Sequence, residues 1–418
     1  MIDVNFQRVS GQIVATLTRI LGARHLALAE EASQDALVKA LQLWPHEGVP
    51  ANPTAWLVQV AKHRALDLLR RDQRLAPLPE SIESAFGHTS GAETARLRGE
   101  AAAPEDDELA MMFLACHPTL AREARIALTL KIVCGFGVRE IARAFMSTED
   151  AIAQRLVRAK RQLRDTEVAF ELTSADYAQR LDSVLDVLYL LFNEGYAAHA
   201  GDDLVRAELC REALRLGELI AAAGPKISAG GAPAVHALLA LMYLQAARLP
   251  ARVGGADGDV LLRLAEQDRS LWDASAVSRG LQHLDASSAG DSVTVYHLEA
   301  GIAACHAVAP RYEDTDWANI VELYDSLIAI KPTPIVALNR AIAVSRLRGP
   351  RAGLAAVDAI ADDRVLARYY LLHATIGELA LECGDRERAA DSFAAALACE
   401  CSAPERRFLE LRLRQLTA

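Results

Sequence analysis

The chain has 418 residues, too many for one ordinary domain, so two or three are expected. Its hydrophobic fraction of 52% is ample for buried cores, while aromatics at 5% and an excess of alanine and leucine predict an all-α protein. A net charge of −10 and a pI near 5.6 exclude a generic polyanion binder, but a local basic site stays open, because charges are screened over about 8 Å.

Seven scattered cysteines form no CxxC pair and no Cys/His cluster with zinc spacing, which predicts buried thiols in a reducing cytoplasm and no metal. Cys399 and Cys401 are the one closely spaced pair, a weaker candidate for redox chemistry. The N-terminal MIDVNFQRVSG lacks a signal-peptide core, and the apolar stretch near 234–247 falls short of the roughly 20 residues a membrane span needs. A cytoplasmic protein without membrane contact is expected.

In chain order, Val9, Ile13, Leu17 and Ile20/Leu21 recur at helical spacing, and Gly22 closes that helix. Residues 26–44 form a second amphipathic helix. PHEGVPANP, 45–53, reads as a loop, and Asn52-Pro53-Thr54 launches a third helix. That helix puts Leu57, Val60, Ala61 and Leu68 on one side and offers Gln59, Lys62, His63 and Arg70 on the other. Residues 72–108, rich in Pro, Gly, Ala and Ser and ending in Glu105-Asp106-Asp107-Glu108, read as a flexible acidic linker. An alternative has the acidic run mimic nucleic acid in a cationic channel.

Residues 109–168 hold a second helical unit. Within it, Val138–Arg164 reads as two helices and a tight corner. Ile141, Ala142 and Phe145 face inward from the first helix; Ser147 and Asp150 have capping-box spacing at the start of the second. Ile152, Leu156, Ala159 and Leu163 then form a buried stripe, opposite Gln154, Arg155, Arg158 and Arg161. Amide and guanidinium groups can pair with adenine and guanine edges, and spare cations meet phosphate, as a helix in a major groove requires. An amphipathic helix with a solvated basic face is the plainer alternative.

These residues carry a resemblance. AEEASQDAL at 29–37 with WLVQVAKHRALDLLRR at 56–71 resembles region 2 of extracytoplasmic-function sigma factors, and GVREIARAF with AIAQRLVRAKRQLR resembles their region 4. The resemblance implies that the helix around Ala29–Leu43 docks on core RNA polymerase, with Glu30, Gln34, Asp35 and Lys39 as the facing polar residues. It implies promoter DNA as the second partner: the −10 element for Gln59, Lys62, His63, Arg64, Arg70 and Arg71, and the −35 element for Ala151, Gln154, Arg155, Arg158 and Arg161. His63 stands where the family usually has Asn, and Met146 where the turn usually has Gly. Trp44 and Trp56 flank the 45–54 loop and are expected to pack in the core rather than capture a base.

Residues 169–418 resemble the C-terminal tetratricopeptide-like extension of one sigma subgroup, marked by Asn193-Glu194-Gly195-Tyr196. Gly195 is placed to stop a helix, and Glu194 and Tyr196 to hydrogen-bond across an interface. Gly377, Gly384, Ala389, Phe393 and Ala396 fit the repeat spacing; the preceding unit has Gly349 in register but Asp358 where an aromatic belongs. Such an array would contact the sigma modules of its own chain or another protein. No phosphate-cradling glycine loop, G-x-S-x-G or HExxH occurs, so neither an enzyme nor a cofactor is expected. Two alternatives are a polymerase-independent helix-turn-helix regulator with a helical sensor, and an interaction scaffold with a vestigial DNA reader.

Overall fold

The computed structural model describes residues 6–72, 104–145, 147–166, 168, 170, 172–196, 203–227, 232–254, 260–401 and 403–417. Apart from one short antiparallel pair, β1 (Val253–Gly254) with β2 (Val260–Leu261), the described regular structure is helical. The chain divides into two compact units, one of Met1–Glu194 with Ala222–Ala229 and one of Gly195–Ala221 with Gly230–Ala418.

The first unit opens with α1 (Phe6–Leu21), α2 (Leu26–Glu47) and α3 (Pro53–Asp72). Val9, Ile13, Leu17 and Leu21 are buried as the periodicity predicts, and Gly22 at φ 82° ends α1. The stripe of α2 is built from small residues, Ala29, Ala32, Ala36 and Ala40, so its neighbours approach closely. Contrary to the loop expected from residue 45, α2 runs through Pro45 and stops at Gly48, φ 85°. Pro45 sits within the last turn, where it lacks an N–H but the helix has few bonds left to lose. Asn52 Oδ1 accepts from Ala55 N–H at 3.0 Å and caps α3, as expected of that motif. Trp44 is buried, its ring 5.5 Å from Trp56 and 5.8 Å from Phe6, so both tryptophans serve the core.

Next come α4 (Pro104–Ala115), α5 (Arg122–Ile132), α6 (Val138–Ala144) and α7 (Glu149–Asp165). Helix α4 begins inside the expected linker. Asp107 and Glu108 are buried in its first turns, and Asp107 meets Arg19 Nε at 2.8 Å and Thr16 Oγ1 at 3.2 Å. This corrects both readings of the acidic run: acids at a helix start complement its dipole, and these two pack against their own unit. Burial lifts the Asp107 carboxyl above its ordinary range, against the pull of Arg19 and Thr16. The rest of the expected linker, 73–103, lies outside the described residues.

Two glycines set how closely α1 and the α5–α6 turn approach. A Cβ on Gly11 would lie 2.1 Å from the Val133 carbonyl oxygen, and one on Gly135, at φ +74°, 2.3 Å from that of Gln7. Only hydrogen fits at either place.

Helix α8 (Ser174–Tyr196) follows, and the first unit also holds α10 (Gly224–Ile227) after α9 (Asp203–Ala222) of the second. In the second unit, α11 (Pro233–Ala246) is apolar all round and lies in the core beside α12 (Ala274–Ser287) and α13 (Val295–Val308). The stretch Pro233–Ala251 is longer than expected and reaches a membrane-span length with mean hydropathy 1.2, but 61% of it is buried within the protein. Six further helices, α14 (Trp317–Ile330), α15 (Pro334–Arg348), α16 (Pro350–Asp358), α17 (Tyr370–Glu382), α18 (Arg386–Ala398) and α19 (Ala403–Thr417), pack each on the next. Gly349 and Gly384 make left-handed turns at φ 89° and 85°, and Gly377 lies against the Phe393 ring, where a Cβ would come within 2.8 Å.

Candidate nucleic-acid interface

Helices α6 and α7 are the two successive, mutually packed helices expected of residues 138–164. At the start of α6, Glu140 Oε2 accepts from Gly137 N–H at 2.6 Å. The cap of α7 is Thr148, whose Oγ1 accepts from Ala151 N–H at 3.2 Å, one residue later than the expected Ser147. Met146, the departing corner residue, lies outside the described residues.

Ile152, Leu156, Ala159 and Leu163 are all buried, which fixes the rotation of α7. Opposite them Gln154, Arg158 and Arg161 are exposed, with Val157 among them at 64% exposure. Residues i, i+3, i+4 and i+7 share one helical face, so these four form a single arc. Ala151 and Arg155 are half-buried at its edge; Arg155 and Arg158 border a hollow of about 270 Å³ that also contains Glu123. Arg161 keeps 74% of its side chain exposed and reaches Asp165 at 3.5 Å, a weak surface pair. Gln162 leaves the arc, donating to the Thr119 carbonyl at 2.6 Å. Sequence reasoning missed Val157, although an aliphatic residue off the buried stripe was a legible signal.

Another cation of α7, Lys160, turns away from that arc. Its Nζ meets Glu30 Oε2 on α2 at 2.5 Å, and Glu30 is only 7% exposed. Glu30 was expected to face another protein; here it is occupied within the unit. Asp35 likewise bonds Arg64 Nε at 2.5 Å, and that bond holds the Arg64 guanidinium above its usual range. Two residues assigned to separate surfaces are thus each other's partners. Gln34 and Lys39 do stand exposed, together with Val38 and Leu41 at 52% and 57%, two apolar residues that the sequence reading passed over.

On α3, Leu57, Ala61, Ala65 and Leu69 are buried, while Val60 and Leu68 are half-buried. His63, Arg70 and Arg71 are exposed, with the acid Asp67 among them. Lys62 is half-buried and engaged within the protein. Gln59 departs from expectation: its Oε1 is buried and has no hydrogen-bond partner among the described residues.

The two modules match known families. Residues 6–75 match Sigma-70 region 2, and residues 110–163 match Sigma-70, region 4. The chain belongs to the sigma-70 family. Promoter recognition in transcription initiation is the role these modules support. Residues 180–288 match a family of unknown function (DUF6596). The chain is also similar along its full length to the uncharacterized protein R00370 of Rhizobium meliloti (strain 1021), 38% identical over 419 residues, covering 96% of that relative. No solved structure matches the chain.

The Asn193–Tyr196 marker straddles the boundary between the units. Helix α8 continues through Gly195 rather than stopping there, because Gly195 is buried and helical. Within the second unit the Tyr196 ring carries the Arg252 guanidinium at 3.8 Å, and Arg252 Nη1 donates to the Tyr196 carbonyl at 2.7 Å.

Proposed function

We propose that the chain is an RNA polymerase specificity subunit of the extracytoplasmic-function kind, acting in the cytoplasm on a small set of promoters. The α6–α7 pair reads the −35 element through Gln154, Val157 and Arg158, with Arg161 on phosphate. The exposed His63, Arg70 and Arg71 of α3 serve the −10 element, and Gln34, Val38, Lys39 and Leu41 face core polymerase. Nucleotidyl transfer belongs to the polymerase. The observation that carries this reading is the exposed amide and guanidinium arc on α7, in one chain with a region 2 module. A simple regulator needs only the first of these.

Binding to core polymerase, followed by run-off transcription from promoters enriched in vitro, tests it. A chain that binds DNA but never core would instead be a polymerase-independent regulator. The second unit, a tetratricopeptide-like array on this reading, regulates the sigma modules by intramolecular contact. Unchanged promoter selection and output after deleting the chain beyond Glu194, where the second unit begins, would remove that part.

A further inference from the structure

The second unit contains a group of hydrogen-bond donors that its own acceptors do not serve. Arg248, just past α11, and Arg269 both lie over the Trp272 ring, at 5.6 Å and 4.6 Å from its centre. Arg269 Nη1 closes the end of α13, donating to the carbonyls of His306 and Ala309 at 2.6 and 2.7 Å. Its Nη2 is buried and meets no acceptor among the described residues, and the same holds for Trp272 Nε1. His306 Nδ1 and Thr315 Oγ1, the latter on a residue only 5% exposed, are equally without partners among the described residues.

The charges agree with the donors. Neither Arg248 nor Arg269 has a carboxylate within ion-pair distance among the described residues; Arg248 Nε finds only Gln267 Oε1, at 3.4 Å. Glu313 and Asp314 act on Arg269 from further away, and Asp314 is held by Arg311 at 2.9 Å. Burial and the repulsion of Arg248 make Arg269 less ready to hold its proton, and the same two causes act on Arg252 next door. In a chain of net charge −10, adjacent cations without acids are not a consequence of composition.

Guanidinium and indole N–H groups can only donate, so what satisfies them must be rich in acceptors. Two positive charges require that it also be negative. Both guanidinium groups lie at Trp272, and each acts electrostatically on His306, so donors from three segments, the end of α11, the 269–272 turn and α13, lie close together. Donors arriving from several sides suit a tetrahedral oxyanion better than a flat carboxylate. We propose that Arg248 and Arg269 form a binding site for a phosphate-type oxyanion, with Trp272 and His306 as supporting donors. His306 also borders a neighbouring hollow of about 360 Å³ whose walls include Trp317, Tyr324 and Asn339 but neither Arg248 nor Arg269, so an ester's organic body would enter it past His306.

The test is calorimetric titration and thermal unfolding of the full chain in a chloride buffer, with inorganic phosphate, phenyl phosphate and benzoate as probes. At ten times its dissociation constant, phosphate should raise the unfolding midpoint on the order of 3 °C beyond ionic-strength-matched chloride. Arg248→Gln should weaken binding at least roughly tenfold, the loss of one charged, hydrogen-bonded contact. The exposed control Arg364→Gln should not. Arg248→Lys, which keeps charge but loses the guanidinium fork, should give an intermediate loss and serves if Arg248→Gln does not fold. Tighter binding of phenyl phosphate marks an ester that uses the hollow, and equal binding marks the free anion; both support the site. Chloride or benzoate matching phosphate, or a parent-like affinity in both Arg248 variants, would overturn it.

Discussion

Lys160 Nζ lies 2.5 Å from Glu30 Oε2, joining α7 to α2 across 130 residues of sequence. The Glu30 side chain is 9% exposed and that of Lys160 22%, so the pair is largely withdrawn from water. Removing one partner strands the other charge, whereas removing both does not. Lys160→Met should therefore cost the first unit about 2 kcal/mol. Pairing Glu30→Gln with Lys160→Met should recover most of it. A double-mutant cycle by urea unfolding measures the coupling; additive losses would mean the pair contributes nothing.

The arc on α7 divides its contacts by kind. Gln154→Ala and Arg158→Ala should each cost about 1–3 kcal/mol on a selected −35 sequence and relax preference at one base pair. Arg161→Ala should weaken cognate and scrambled DNA alike and lower the salt slope by about one. Arg155→Ala, at the edge beside Glu123, should do less than Arg158→Ala. Gel-shift titrations at several salt concentrations distinguish these outcomes, and equal losses on both DNAs for Gln154 and Arg158 would deny them base contacts.

Val157 has no hydrogen bond to offer, yet it sits at 64% exposure among groups that do. On the groove floor its natural counterpart is the thymine methyl. Replacing thymine by uracil, one position at a time, should expose a single site where the parent loses affinity and Val157→Ala does not. If no position separates the two proteins, Val157 reads nothing.

His306 supplies a pH dependence in the second unit. Burial, then Arg248 and Arg269, holds its imidazole down to about 4, against 6.5 when exposed. A group lowered on folding binds more protons unfolded, so stability rises with pH across this window. Its contribution should be complete above pH 6.5 and fall by up to roughly 3 kcal/mol as pH drops toward 4. His306→Phe should flatten that part of the profile. Midpoints followed from pH 7 to 4.5 decide it; parallel profiles would place the proton elsewhere.

Much of the fold is legible from period alone. The stripes Val9–Leu21 and Ile152–Leu163 are buried as their spacing demands, and Thr148 displaces Ser147 as cap by a single residue. What period cannot supply is which side chains meet across long separations. Arg64 and Asp35 lie 29 residues apart, and nothing local announces that each occupies the other. The acidic run at 105–108 misleads for a related reason: composition reads it as solvated, but Arg19 and Thr16 in α1 give Asp107 a buried place. Pro45 misleads because a proline one turn from a helix end breaks little.

The closeness of α1 to the α5–α6 turn, where Gly11 and Gly135 leave space only for hydrogen, makes the Glu30–Lys160 contact one part of a larger seam. Its consequence is a matter of populations. A partner that requires the Glu30 carboxylate meets only the fraction of molecules in which Lys160 has released it, and its measured dissociation constant is the intrinsic one divided by that fraction. Every 1.4 kcal/mol or so held in the seam weakens such binding about tenfold without any change at the partner's own contacts. Substitutions along the seam would then tune affinity for that partner from residues it never touches.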